Sequence, residues 1–210
     1  MLLTNIRNRI RHLFYPGSRR YWEQRYACGG DSGVGSGGEL AAYKADILNT
    51  FVQQQQITSV VELGCGDGRQ LQLAQYPRYI GLDIATSAVK RCKTMFSEDP
   101  GKAFEVYVPD QFVPDRFQAE LAISLEVIFH LTEERLYRLY MQHLFQVSSR
   151  WVIIFSSDEA EKGRSMFPHF RQRHFSADVP EGWVLEQRIE NPHRDRSVSD
   201  FFIFKKVGRV

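Results

Sequence analysis

Residues 57–74 read ITSVVELGCGDGRQLQLA, and this stretch decides the fold. An apolar, β-branched run ends in Glu62, and glycines then occupy every second position at Gly64, Gly66 and Gly68. Glycine accepts a positive φ and, because it has no Cβ, leaves backbone N–H groups open to a ligand. The stretch therefore predicts a strand, a ligand-binding turn and a short helix in succession.

Helical and strand-like segments alternate along the rest of the chain. Apolar residues three and four positions apart predict helices at 39–55, 85–97 and 132–145, with a shorter one at 68–75. Runs rich in β-branched and aromatic residues predict strands at 57–63, 79–84, 103–108, 119–125, 150–156, 183–190 and 200–206. The last two strands have no helix between them and alternate like an antiparallel pair. We therefore expect an α/β fold: a mostly parallel, seven-stranded sheet with a C-terminal antiparallel hairpin and helices on both faces.

Length and cysteine content limit the class of protein. The 210 residues suit one domain, which we place at 39–210, preceded by an N-terminal helical extension and Gly/Ser-rich lid at 1–38. Three scattered cysteines without CxxC spacing argue against a disulfide framework or a zinc site, and they favour a cytoplasmic location. No apolar run reaches the ~18–20 residues that span a bilayer.

Charge is balanced overall but concentrated at the N-terminus. The formal net charge is +2, whereas residues 1–20 contain five arginines and no acid. Apolar positions in 1–17 recur at helical spacing, which fits either a helix docked on its own domain or one in peripheral contact with an anionic membrane. A nucleic-acid partner is disfavoured, because the other basic concentration is confined to residues 162–174.

The acids around the glycine turn indicate the kind of ligand. Asp83 closes the second strand, a position from which a carboxylate accepts both hydroxyls of an adenosine ribose. The glycine pattern is GxGxG rather than the GxGxxG of dinucleotide sites, and Glu62 suits a cationic amino-acid group better than a diphosphate. This combination predicts a nucleoside-type site and disfavours an NAD-dependent dehydrogenase.

Residues 57–84 resemble motifs I and II of the class I S-adenosylmethionine-dependent methyltransferases, and the resemblance extends over roughly 20–206. It implies the Rossmann-like fold of that family, with S-adenosylmethionine as cofactor. The segments YWEQRY, SLEVIFHLTEE and VIIFSSD further resemble a bacterial subgroup associated with polysaccharide and sugar O-methylation. Taken together, the resemblance implies cofactor contacts from Tyr21, Trp22, Arg25, Gly35, Ser36, Glu62, Gly64, Gly66, Asp83, Ile84 and Asp110.

Candidate catalytic residues follow the fourth strand, in SLEVIFHL. Glu126 and His130 are four positions apart and would share a face if the segment formed one helical turn. They could act as a general base with its orienting partner, or as ligands of a divalent cation such as Mg²⁺. Some metal-dependent relatives carry E-x-x-E-H here, but Phe129 replaces the second acid in this chain. Further metal ligands would then have to come from His143, His169 or His174.

These residues favour an O-methyltransferase that acts on a hydroxyl of a sugar or saccharide. The basic segment 169–175, HFRQRHF, either shapes the acceptor pocket or is a solvated loop. Two alternatives remain at this point. One is a methyltransferase of another small metabolite, and the other is a non-catalytic partner subunit that binds S-adenosylmethionine.

Overall fold

The computed structural model describes residues 13–160, 165 and 167–208. It contains one seven-stranded sheet, in the order β3-β2-β1-β4-β5-β7-β6. The strands are β1 (Val60–Leu63), β2 (Tyr79–Asp83), β3 (Lys102–Val106), β4 (Ala119–Leu125), β5 (Ser148–Ser156), β6 (Trp183–Ile189) and β7 (Asp200–Lys206). Strands β1 to β5 pair in parallel, and β7 is antiparallel to both β5 and β6. The predicted fold class is confirmed.

Four α-helices of at least ten residues occur within the described residues: α1 (Ser18–Ala27), α2 (Gly38–Gln54), α3 (Thr86–Met95) and α4 (Glu134–Gln146). The helix predicted at 68–75 is only a 3₁₀ turn, Gln70–Leu73. The amphipathic helix predicted within 1–17 falls mainly on residues outside the described ranges. No described helix has the length and apolar character needed to cross a membrane.

Apolar side chains fill both faces of the sheet. One core joins α4 residues such as Tyr140 and Leu144 to the strand residues Leu63 and Val152. The other joins Leu48 of α2 and Val89 of α3 to the opposite face of the same strands. Each fully buried Leu or Val stabilises the fold by roughly 1.5–3 kcal/mol. Helices on both faces explain why β5 is apolar on both sides.

The strand order reverses at β1, which pairs with β2 on one side and with β4 on the other. In open α/β sheets the connections leave such a switch point in opposite directions, which opens a crevice beyond the carboxyl ends of the strands. The glycine turn that follows β1, Asp83 at the end of β2 and Glu126 just after β4 all lie at this edge.

Candidate active site

A cavity of about 250 Å³ lies at this switch point. Both predicted catalytic residues, Glu126 and His130, line it. So do eight of the predicted cofactor contacts: Trp22, Gly35, Ser36, Glu62, Gly64, Gly66, Asp83 and Ile84. The carboxyl ends of three strands, α1 and the Gly/Ser-rich segment therefore converge on one space.

Asp83 fixes the glycine turn. Its Oδ2 accepts a hydrogen bond from the Gly66 N–H at 2.9 Å, and its Oδ1 accepts one from the Ala85 N–H at 2.8 Å. Gly66 has a φ of 57°, a conformation that favours glycine. The Asp83 side chain is buried, and burial raises its pKa to about 6. Carboxylate lone pairs beyond these two bonds can accept hydrogen bonds from a ligand diol.

Glu62 places a second buried carboxyl group at the end of β1. Its Oε2 accepts a hydrogen bond from the Tyr79 hydroxyl at 2.5 Å. Burial raises the pKa of Glu62 to about 7, while the hydrogen bond from Tyr79 and the charge of Lys44 oppose the rise. A cationic ligand group near Glu62 would favour its ionised form. This environment fits the cationic amino-acid portion that the sequence predicted.

Residues 28–37, here called the lid, are bonded to the glycine turn. The Ser32 N–H and hydroxyl donate to the two carboxylate oxygens of Asp67 at 3.1 and 2.9 Å. Asp31 forms ion pairs with Arg69 at 2.8 Å and with Arg25 at 3.2 Å. Arg25 does not line the cavity, so in this structure it braces the lid. The lid covers one side of the cavity through Gly35 and Ser36.

Glu126 occupies a constrained position between three segments. It is one of two described non-glycine residues with a positive φ, at 58°. Its carboxylate accepts hydrogen bonds from Ser197 at 2.7 Å and from Lys44 of α2 at 3.2 Å. The positive φ breaks the helical turn that was expected to align Glu126 with His130, and only Ile128–His130 forms a 3₁₀ turn. Glu126 is therefore bonded to Lys44 and Ser197 and makes no hydrogen bond to His130.

His130 is oriented by a backbone carbonyl instead. Its Nδ1 lies 2.8 Å from the carbonyl oxygen of His169. Because a carbonyl only accepts, Nδ1 carries the hydrogen, and Nε2 of the neutral ring is left as an acceptor. Trp22 packs edge-on against the imidazole at 4.9 Å between ring centroids. Burial lowers the pKa of His130 to about 4, so the ring is neutral at pH 7.

Besides Arg25, two more predicted cofactor contacts, Tyr21 and Asp110, lie outside the cavity lining. Asp110 is exposed and forms an ion pair with Arg135. The buried Tyr107, which follows β3, lines the cavity instead. Tyr21 stacks on His169 at 4.6 Å between ring centroids. To place these two residues correctly, one needs the path of the loop after β3 and the orientation of helix α1. The spacing of residues in the sequence gives neither.

Lys44 is a cavity residue that the sequence analysis missed. Its side chain is only 1% exposed, and its ammonium lies at the cavity beside Glu126. The sequence did contain a sign that Lys44 is buried: it is four residues from both Leu40 and Leu48, on the apolar stripe of α2. A charged residue in the middle of an apolar stripe indicates a buried partner.

The described residues do not fit a metal ion. They contain no group of three or more His, Cys, Asp or Glu side chains arranged to hold one. His143 Nδ1 is hydrogen-bonded to the Tyr107 hydroxyl at 2.8 Å, and His174 faces Asp158 at 3.4 Å. The predicted Glu126 and His130 pair therefore has no third ligand of these types within the described ranges.

The basic segment 169–175 faces α4 more than the cavity. Arg171 and Arg173 form ion pairs with Glu134 at 3.5 and 2.6 Å. Neither arginine lines the cavity, and His174 is more than half exposed. In this structure these cations secure the segment to the start of α4, and they do not form a charged wall of the acceptor pocket.

We expect Gly35→Ala to weaken binding of S-adenosylhomocysteine by about 10-fold or more. A Cβ at position 35 would lie 1.9 Å from Glu126 Oε2, and Lys44 and Ser197 hold that carboxylate in place. Calorimetric titration measures the change. In a Glu126→Ala background, where the obstructing carboxylate is absent, the same substitution should reduce the affinity much less. Equal losses in both backgrounds would contradict the packing explanation.

The affinity for S-adenosylhomocysteine should also decrease as the pH falls below about 6. Because the pKa of Asp83 is raised to about 6, its carboxylate is ionised above that pH and protonated below it. The protonated acid has fewer lone pairs for Gly66, Ala85 and a ligand diol. Titrations between pH 5 and 8 should give an affinity that rises toward the alkaline end, where both Asp83 and Glu62, with pKa values of about 6 and about 7, are ionised. Affinity independent of pH over this range would count against the role of Asp83.

Solved methyltransferase structures are similar to this chain in fold. N-methyltransferase NodS from Bradyrhizobium japonicum WM9, in complex with S-adenosyl-L-homocysteine, has a TM-score of 0.72 at 14% identity, over 90% of this chain and 98% of that chain. Magnesium protoporphyrin IX methyltransferase ChlM from Synechocystis PCC 6803, with bound S-adenosylmethionine, has a TM-score of 0.65 at 13% identity. The match covers 92% of this chain and 99% of the ChlM chain.

The methyltransferase domain of bacterial CtHen1-C has a TM-score of 0.64 at 18% identity, covering 80% of this chain and 98% of that chain. No protein-family model and no curated protein matches the chain. The strand order and these structures therefore assign to the chain the seven-stranded, Rossmann-like fold of S-adenosylmethionine-dependent methyltransferases.

Proposed function

We propose that this protein is an S-adenosylmethionine-dependent O-methyltransferase that acts on a hydroxyl of a sugar or saccharide. The observation that carries the proposal is one cavity lined by both Asp83 and His130. Asp83 offers a buried carboxyl for a ribose diol, and His130 offers an unprotonated Nε2 for a hydroxyl proton.

The residues of the cavity fit the cofactor. Gly35, Gly64 and Gly66 line the cavity, and a Cβ at these positions would lie 1.9, 2.4 and 2.3 Å from the side chains of Glu126, Val127 and Ser32, so only glycine lets these side chains pack against the cavity wall. Buried carboxyl groups and Lys44 provide partners for an amino acid's ammonium and carboxylate. Gln70 adds a buried Oε1 with no hydrogen-bond partner among the described residues, and Gln70 lines the same cavity.

Bound S-adenosylmethionine supplies a methyl group on a cationic sulfonium, which a nucleophilic oxygen can attack in line. The protein's part is to align the acceptor and to remove its proton. His130 accepts that proton at Nε2 while Nδ1 remains bonded to the His169 carbonyl. The Glu126 carboxylate is close enough to favour the protonated ring electrostatically, without a hydrogen bond to it. Trp22 packs beside His130 and lines the same cavity, which provides an aromatic surface next to the proposed base.

A labelled-methyl transfer screen tests the proposal. S-Adenosylmethionine with a labelled methyl group is offered with mono- and oligosaccharides, phenols and amines, in magnesium and in EDTA. We expect labelled product from a saccharide, with equal yield in both buffers. Product from phenols or amines alone would favour a methyltransferase of another small metabolite. Cofactor binding without transfer to any acceptor would favour a non-catalytic partner subunit.

A further inference from the structure

Arg173 is a buried cation that does not itself line the cavity, and its side chain is only 7% exposed. Its Nη2 donates to the Leu131 carbonyl at 2.7 Å, and its Nη1 donates to Glu134 at 2.6 Å. The guanidinium also lies over the Tyr137 ring, 4.1 Å from the centroid. A buried guanidinium with several fixed partners holds those partners in one arrangement.

The segment that contains Arg173 is bonded to the segment that contains His130. The Arg171 N–H donates to the Phe129 carbonyl at 2.7 Å. The His169 carbonyl accepts from His130 Nδ1 at 2.8 Å. Together with the bond from Arg173 to the Leu131 carbonyl, these bonds join residues 169–173 to three consecutive residues, 129–131. The His169 carbonyl, which sets the tautomer of His130, therefore lies at one end of the segment 169–173, and Arg173 anchors the other end.

We propose that Arg173 is a positioning residue for His130, which it keeps in the tautomer with Nδ1 protonated. Its catalytic consequence rests on the proposed function, whereas the orientation itself does not. The sequence predicted that Glu126 would orient the ring, but the carboxylate of Glu126 is bonded to Lys44 and Ser197. Arg173, acting through the 169–173 segment, takes that role.

Nitrogen NMR of the histidine rings tests the proposal without any methyl acceptor. The full-length chain is labelled with ¹⁵N-histidine and saturated with S-adenosylhomocysteine, and the His130 signals are assigned by their loss in His130→Gln. The native ring should show one protonated Nδ1 and one unprotonated Nε2. In Arg173→Met we expect shifts averaged between the two tautomers. His143, which Tyr107 holds independently, is the internal reference.

Arg138→Met is the matched control, because Arg138 also pairs with Glu134, at 3.0 Å, but is exposed and is not bonded to residues 129–132. We expect it to leave the His130 tautomer unchanged. A native tautomer in folded Arg173→Met would overturn the proposal. If Arg173→Met does not fold, Arg173→Lys decides in the same way, because one ammonium cannot reproduce both guanidinium bonds.

A kinetic readout extends the test to catalysis. With an acceptor from the transfer screen, Arg173→Lys should lower kcat roughly 10- to 100-fold while the KM for S-adenosylmethionine stays within about 3-fold, since misplacing a catalytic group slows the chemical step. An altered tautomer with unchanged kcat would overturn the catalytic role of His130 and leave the positioning role of Arg173 intact. A native tautomer with unchanged kcat would overturn the positioning role.

Discussion

His130→Ala is expected to lower the turnover number by about 10²- to 10⁴-fold, the range that positioned general bases contribute. The substitution removes an imidazole that lines the cavity and has an unprotonated Nε2, and it leaves the glycine turn and Asp83 intact. Binding of S-adenosylhomocysteine should therefore stay within about 3-fold of the native value. Labelled-methyl transfer under saturating conditions measures the first quantity, and calorimetry measures the second.

His174→Ala serves as the control for this experiment. His174 is in the same basic segment as His169, but it is more than half exposed and lies outside the cavity lining. Its replacement should leave turnover and cofactor affinity unchanged. Native turnover in His130→Ala would remove the general-base role, and loss of cofactor affinity in that variant would assign His130 to binding instead.

Asp83→Asn should weaken binding of S-adenosylhomocysteine at least 100-fold. The carboxylate uses both oxygens to accept backbone N–H groups, from Gly66 and from Ala85. An amide has one acceptor oxygen, so its NH₂ group would face an N–H donor. Hydrogen bonds to a charged group contribute about 1.5–3 kcal/mol each, so losing one backbone bond together with one charge-assisted bond to the ligand diol corresponds to a change in affinity of this size.

Asp110→Asn provides a discriminating control for Asp83→Asn. The family resemblance assigns Asp110 to the adenine group, whereas the structure places it on the surface in an ion pair with Arg135. We expect native affinity in Asp110→Asn. If Asp110→Asn weakens binding as strongly as Asp83→Asn, the adenosine lies nearer to the sheet edge than this cavity places it.

The sequence was most informative where a side chain sits at the end of a regular element. Glu62 and Asp83 lie at the ends of β1 and β2 and Gly66 just after β1, and the apolar, β-branched character of these strands marks their ends within a residue or two. The carboxyl ends of parallel strands meet at one edge, so these residues had to be neighbours. The mostly parallel sheet and the C-terminal hairpin followed from the same alternation of elements, whereas the order of the strands came only from the structure.

Relations between loops were not predictable in the same way. The positive φ of Glu126 is uncommon for a residue with a side chain, and nothing in SLEVIFHL indicates it. Because of that one dihedral, the carboxylate bonds to Lys44 and Ser197, which are 82 and 71 residues away in the chain. The hydrogen bond between His130 and the carbonyl of His169 was equally unpredictable, because every residue has a backbone carbonyl and none of them has a sequence signature.

The bonds of the lid to the glycine turn have a kinetic consequence. We expect a bound cofactor to leave past the lid, which the bonds from Ser32 to Asp67 and the ion pair of Asp31 with Arg69 hold over one side of the cavity. Exchange of spent for fresh cofactor would then require the lid to open. Because the ion pairs of Asp31 are half-exposed, salt screens them, and the lid should open faster at high ionic strength. Stopped-flow displacement of S-adenosylhomocysteine should accordingly show a dissociation rate that rises with salt.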